Sequence, residues 1–245
     1  MHPNIRIEVE NDYDAMSLRA AQIFTKSMNW YPQGAFGFAT GSTPIGMYKE
    51  LVRMHKEDGL DFSGMTTFNL DEYYPLKKES EHSYHYFMHQ HLFNHVNIDP
   101  ANVFLPDGSA PDPATESQKY EAKIQSTEGI VVQVLGIGLN GHIGFNEPSD
   151  SFGANTRLVP LTEITLESNA IHFENPDEMP RHAITMGIRT IMMAKHILLL
   201  ANGAAKRAIL RDALMGPITP LVPASALQLH PSVVVVADKE AAALL

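Results

Sequence analysis

Cysteine is absent from the 245 residues. That excludes disulfides, thiolate nucleophiles and cysteine-based metal sites, and it fits a reducing compartment. Long apolar runs are missing too. The longest fall well short of the ~20 residues a membrane-spanning helix needs. The opening MHPNIRIEVENDYD has no basic start and no extended apolar core, so no secretory signal is expected. Basic residues are scarce: 18 Lys and Arg against 28 Asp and Glu give a formal net charge of −10. A broad nucleic-acid surface, which needs clustered cations, is therefore not expected. A small anionic ligand is still compatible, held by local dipoles and one or two cations. The expectation is a cytoplasmic protein with neither membrane nor nucleic-acid partners.

What is present is a repeated strand–helix order. NIRIEV is followed by the helical pattern DYDAMSLRAAQIFTKSMN, and GAFGFA by PIGMYKELVRMHKE. MTTFNL precedes SYHYFMHQHLFNHV, and PATESQKYEAKIQS precedes IVVQVL. HILLLA leads into AAKRAILRDALM, and SVVVVA into a closing DKEAAALL expected to be helical. Runs such as VVQVL and VVVV are continuously apolar, as in strands buried on both faces of a parallel sheet. The expected fold is therefore α/β: a doubly wound, Rossmann-like, mostly parallel sheet with helices on both faces. No linker or internal repeat interrupts it, so residues 1–245 are expected to form a single domain. The least regular stretch, about 146–182, carries Pro148, Pro160, Pro176 and Pro180. It reads as a lid over about 150–182 or as a helix flanked by turns.

Open α/β sheets bind ligands beyond the carboxyl ends of their strands. After GAFGFA comes TGSTPIG. Gly41 permits a tight turn, Ser42 and Thr43 offer hydroxyls, and Pro44 suits a first helical position. The loop reads either as a phosphate site at a helix start or as a plain capped helix with Thr43 as N-cap. It is no Walker loop, because the Gly-Lys-Ser/Thr ending is missing. After HILLLA comes NGAAKRAI, with Lys206 beside a helix start. A cation there is locally unfavourable unless an anion is bound, and together the two loops suggest a clamp on one phosphate. After MTTFNL comes Asp71, a candidate general base or a turn acid.

LGIGLNGHIGFNEP holds Gly136, Gly138 and Gly141 at the spacing of a dinucleotide fingerprint. That fingerprint must open directly into a helix, and here Gly144 and Pro148 oppose one. What remains is a glycine-rich loop presenting Asn140, His142 and Glu147. Histidine is readily poised near neutral pH, and a nearby Glu can set its tautomer. EHSYHYFMHQHLFNH places His85 and His89 four apart on a helix, but no carboxylate stands at metalloprotease spacing, and no metal site is expected.

ATGSTP, FNLDEYYPL, GIGLNGHIGFNEP and SALQLHP together resemble the glucosamine-6-phosphate deaminase family, in its shorter, non-allosteric form. The resemblance runs from about the first strand to the last. It implies conversion of glucosamine 6-phosphate and water to fructose 6-phosphate and ammonia, with neither metal nor organic cofactor. It implies that Asp71 moves the proton from C2 to C1 and that His142 opens the sugar ring. Glu147 and Asn140 would support His142; many members carry Asp at the latter position. Gly41, Ser42, Thr43 and Lys206 would contact phosphate. Ile171 stands where the family usually has a phosphate-binding Arg, with His172 and Arg181 as the nearest replacements. Val159 stands where allosteric members carry a basic residue, so no activation by N-acetylglucosamine 6-phosphate is expected. The short tail favours a monomer or dimer over a larger homo-oligomer. Rival readings are a galactosamine-6-phosphate deaminase, a 6-phosphogluconolactonase, or a non-catalytic sugar-phosphate sensor. The last two have no need of a base at Asp71.

Overall fold

Strands that are apolar on both sides must be covered on both sides, and this chain does so in sequence order. The computed structural model describes residues 4–163, 165–166 and 179–245. Among these, one sheet is built from β1 (Ile5–Glu10), β2 (Ala35–Phe38), β3 (Thr66–Asn69), β5 (Val103–Phe104), β6 (Ile130–Leu135), β9 (His196–Ala201) and β10 (Val233–Asp238). Its seven strands lie in the order β1-β10-β9-β6-β2-β3-β5. Every pairing is parallel.

One face packs on α1 (Tyr13–Trp30), α2 (Ile45–Asp58) and α3 (Tyr84–His91). Phe36, Phe38, Val134 and Leu200 meet Phe24, Leu51 and Met88 there. The other face packs on α4 (Pro113–Gln125), α5 (Ile188–Met192) and α6 (Arg207–Met215). Leu135, Leu199 and Val235 meet Ile124, Ile191 and Leu210 there. The doubly wound parallel architecture is therefore present.

Strand order reverses at β2. The chain runs outward through β3 and β5, then returns to the other side of β2 as β6. A crevice opens at such a reversal, and the loops flanking it are 39–44 and 136–148.

Three features differ from the sequence expectation. First, β4 (Asp71–Tyr74) leaves the main sheet and pairs with β8 (His182–Thr185), which pairs with β7 (Arg157–Pro160), all antiparallel. Asp71 thus begins a strand of a second sheet; it is not in a loop. Residues 157–160 and His182 of the expected lid belong to that sheet, Glu163, Thr165 and Leu166 are helical, and residues 164 and 167–178, with Asn169, Ile171 and His172, lie outside the described residues. Second, α2 has Pro44 as its N-cap with no side-chain cap. Thr43 does not cap it; its hydroxyl is bonded elsewhere. Third, residues 239–244 form turns instead of a closing helix. Ala241 and Ala242 fill the core at that point, and Asp238 takes the amide of Ala241 at 2.7 Å. That bond is of the N-cap kind, which starts a helical turn, and the turns that follow do not extend into a regular helix.

Candidate active site

Four strand ends converge on a cleft of about 980 Å³ lined by Gly41, Ser42, Thr43, Asp71, Asn140, His142 and Lys206. Glu147 stands immediately behind His142. The structure therefore brings all eight candidate site residues of the sequence to one place.

Asp71 lies where the chain crosses from one sheet to the other. Leu70 still bonds both sides, its amide donating to Phe38 O at 3.0 Å and its carbonyl accepting Met186 N at 2.7 Å. The next residue turns its carboxyl inward, 5 % exposed. Burial first, then the nearby Glu72 charge, push its pKa up to about 8, and a hydrogen bond with Thr185 opposes them. Gly144, at φ 57°, makes room: a Cβ there would sit 2.9 Å from Thr185 Oγ1 and 3.3 Å from Asp71 Oδ2.

Glu72 follows Asp71, and strand alternation sends it to the other face. It accepts the amides of Tyr73, Tyr84 and His85, each at 2.9 Å. It caps the start of α3 and takes no place in the cleft. Burial raises its pKa to about 7 against those three donors.

The glycine-rich loop forms no helix. Gly136 has open space around it, whereas a Cβ on Gly138 would lie 2.3 Å from His142 Cε1. The clearance serves the histidine ring itself. Gly141, at φ 85°, turns the chain. Glu147 is gripped from three sides. His142 Nδ1 faces Oε1 at 3.3 Å, too long and poorly aligned for a hydrogen bond, and the contact is an ion pair only when the imidazole is protonated. Thr165 donates its hydroxyl to the same oxygen, and Asn140 Nδ2 donates to Oε2 at 2.6 Å. Burial raises the Glu147 pKa, but His142, Thr165 and Asn140 outweigh it and hold the carboxyl at about 2. Asn140 thus orients Glu147 and the His142 backbone amide, not the His142 ring.

On the other side, Tyr13 OH bonds the carbonyls of Ser42 and Thr43 and accepts the amide of Gly46. Lys206 closes a short 3-10 turn before α6. Its Nζ donates to Ile137 O at 2.7 Å, and burial lowers its pKa. Among the described residues it has no carboxylate partner, which is how a cation awaiting an anionic ligand is placed.

Arg181 is exposed, and Ile171 and His172 lie outside the described residues. The His85 and His89 rings lie 4.4 Å apart, tilted by 32°. Among the described residues no cluster of three or more His, Cys, Asp or Glu is suited to a metal ion, and no helix is long and apolar enough to cross a membrane. Residues missed by sequence reasoning include Tyr13, Thr165 and Tyr84. Tyr84 lines the cleft with its ring 4.8 Å from Tyr73 and stacked on Phe145. Only long-range packing selects these residues, and no motif marks them.

Comparison with known proteins gives a consistent result. Residues 13–236 match the family described as glucosamine-6-phosphate isomerases/6-phosphogluconolactonase. A glucosamine-6-phosphate deaminase of Halothermothrix orenii is 49 % identical over 98 % of this chain and 100 % of its own. One from Clostridium botulinum, strain Loch Maree, is 50 % identical over 98 % and 99 %. Among solved structures, a monomeric glucosamine-6-phosphate deaminase superposes with a TM-score of 0.95 at 42 % identity, over 98 % of this chain and all of the other. A 6-phosphogluconolactonase of Thermotoga maritima shares the fold at a TM-score of 0.76 and 21 % identity, over 96 % of this chain and 100 % of its own.

Proposed function

The chain belongs to the glucosamine-6-phosphate isomerase/6-phosphogluconolactonase family, and from that premise we propose that it converts glucosamine 6-phosphate and water to fructose 6-phosphate and ammonia. The observation that carries this reading is a buried carboxyl, Asp71, sharing one cleft with a His142–Glu147 pair and the Lys206 cation. A lactone hydrolase has no carbon-bound proton to move and no use for a base so placed.

The phosphate of the substrate lies against Gly41, Ser42, Thr43 and Lys206. Its remote binding energy orients C1 and C2. His142 carries the anomeric hydroxyl proton to the ring oxygen, which opens the sugar. Glu147, ionised at every working pH, stabilises the imidazolium formed on the way. Asp71 then takes the proton from C2, the electron pair delocalises onto the C1 carbonyl oxygen, and that oxygen gains a proton as the C2 ammonium loses one, which gives an enolamine. Asp71 returns the C2 proton to C1 as the nitrogen lone pair moves in, which leaves an iminium at C2. Water adds there and ammonia departs. A carboxyl held near 8 is a stronger base than an ordinary one once ionised. The cationic amine on C2 favours that ionisation as the substrate arrives. We read the chain as one catalytic unit acting in the cytoplasm on amino-sugar phosphates, without cofactor.

The test is direct. Purified protein is given glucosamine 6-phosphate, galactosamine 6-phosphate and 6-phosphogluconolactone, and ammonia and fructose 6-phosphate are measured. Glucosamine 6-phosphate is expected to yield both products in equal amounts. Ammonia from galactosamine 6-phosphate alone would reassign the substrate, and no ammonia from either sugar would overturn the reading.

A further inference from the structure

Asn202 stands between the end of β9 and Gly203, where the second phosphate loop begins. Its Oδ1 lies 2.7 Å from Thr43 Oγ1, oxygen to oxygen. Of the two, only the threonine oxygen carries a proton. The Thr43 hydroxyl therefore points its one proton at Asn202, away from the cleft.

A phosphate monoester offers acceptors and no donor at neutral pH beyond its second ionisation. Thr43 can donate to it only by turning that proton away from Asn202. Two acceptor oxygens would then face each other at 2.7 Å. A half-turn of the amide resolves the conflict: Nδ2 donates to Thr43 Oγ1, and Thr43 donates onward to phosphate. The backbone beneath is fixed while the amide turns. Gly203 N is held by both carboxyl oxygens of Asp238, at 3.0 and 2.9 Å, and Asp238 is itself tied to Ala241 N at 2.7 Å.

We propose that Asn202 is a positioning residue for phosphate recognition, whose side-chain amide reverses on binding and directs the Thr43 proton to the phosphate. This rests on the reading that residues 41–43 and Lys206 form the phosphate subsite. It makes Thr43 a donor only when an acceptor-only ligand is present.

The experiment measures inhibition by inorganic phosphate, with KM and kcat for glucosamine 6-phosphate, in Asn202→Asp, Asn202→Leu, Thr43→Val, the Asn202→Asp/Thr43→Val double variant and Lys206→Met. Asp has the shape of Asn but only accepts. It should raise the phosphate Ki and KM about tenfold or more, because a hydrogen bond to a charged group is lost. The kcat should stay within about twofold. Leu releases the Thr43 proton, so its effect should be smaller, about threefold. In the Thr43→Val background the Asp penalty should shrink several-fold, to the part owed to its negative charge repelling phosphate, since the relay part acts through Thr43. Equal penalties for Asp and Leu would overturn the relay, as would an Asp penalty undiminished in the Thr43→Val background. Unchanged melting temperature of Asn202→Asp without ligand shows that folding is not the cause; a large drop would count against a purely positioning role. If Lys206→Met weakens phosphate while Asn202→Asp does not, only the relay falls. If Lys206→Met leaves the Ki unchanged, the subsite reading falls and the relay with it.

Discussion

A carboxyl group moved out of water loses hydration that its neutral form never needed, and Asp71 carries that penalty in an unusually direct form. Its pKa rises from 3.8 to about 8. Between those values the native protein holds a proton that the unfolded chain releases. Stability therefore falls as pH rises from about 4 to about 8, and the loss is complete above the folded pKa. Asp71→Asn removes the penalty. The variant should melt several degrees above the parent at pH 8 to 9, and the gap should close near pH 4. Its turnover should fall at least ~10²-fold while sugar-phosphate binding persists. A variant with near-native rate would remove Asp71 as the base. In the parent, kcat/KM should rise with pH toward an inflection near 8, since the free enzyme must ionise Asp71. A profile flat from pH 6 to 9 would contradict that assignment.

At the scale of elements, two adjacent acids divide between two duties because β4 is a strand. Asp71 faces the cleft, and Glu72 reaches the first amides of α3. That helix carries Tyr84, Tyr86, Phe87, Gln90 and His91 into the cleft wall. Glu72→Ala would leave three amides without their acceptor. It should lower unfolding stability by about 2–3 kcal/mol in urea titration and raise KM as the wall loosens. Glu72→Gln keeps one acceptor oxygen, so its loss should be smaller. In the glycine-rich loop, Gly138→Ala would set a methyl at the position of the His142 ring. A displacement of that kind should reduce kcat about 10²-fold. The fold should survive, because Gly138 has an ordinary φ. An unaffected kcat would mean that His142 has room to move without consequence.

At the scale of the whole molecule, Arg157 is already committed inward. Its Nη1 bonds Asn146 Oδ1 at 3.0 Å, and Asn146 in turn bonds the carbonyls of Ile143 and Met186. Arg157 thereby braces the loop that carries Glu147, and Val159 beside it is buried. Rate against glucosamine 6-phosphate should be hyperbolic and unchanged by added N-acetylglucosamine 6-phosphate. Activation by that compound, lost on substituting Arg157, would refute this.

Much of this was readable before folding. Continuous apolar runs such as IVVQVL and HILLLA require a sheet covered on both faces, and strand-end letters such as TGSTP and NGHIGFNE mark its ligand edge. Those signals are local: burial periodicity, turn chemistry and residue type. What only the tertiary structure decided is non-local. β4 left the main sheet to pair with β8, which lies more than a hundred residues away in the chain, beyond the reach of any local signal. Thr43 gave up its capping role for Asn202, 159 positions distant. Glu147 acquired its low pKa from Thr165 and Asn140 as well as His142. Sequence determines which groups are available; distance, burial and the direction of each proton exist only once strands far apart in the chain are brought side by side.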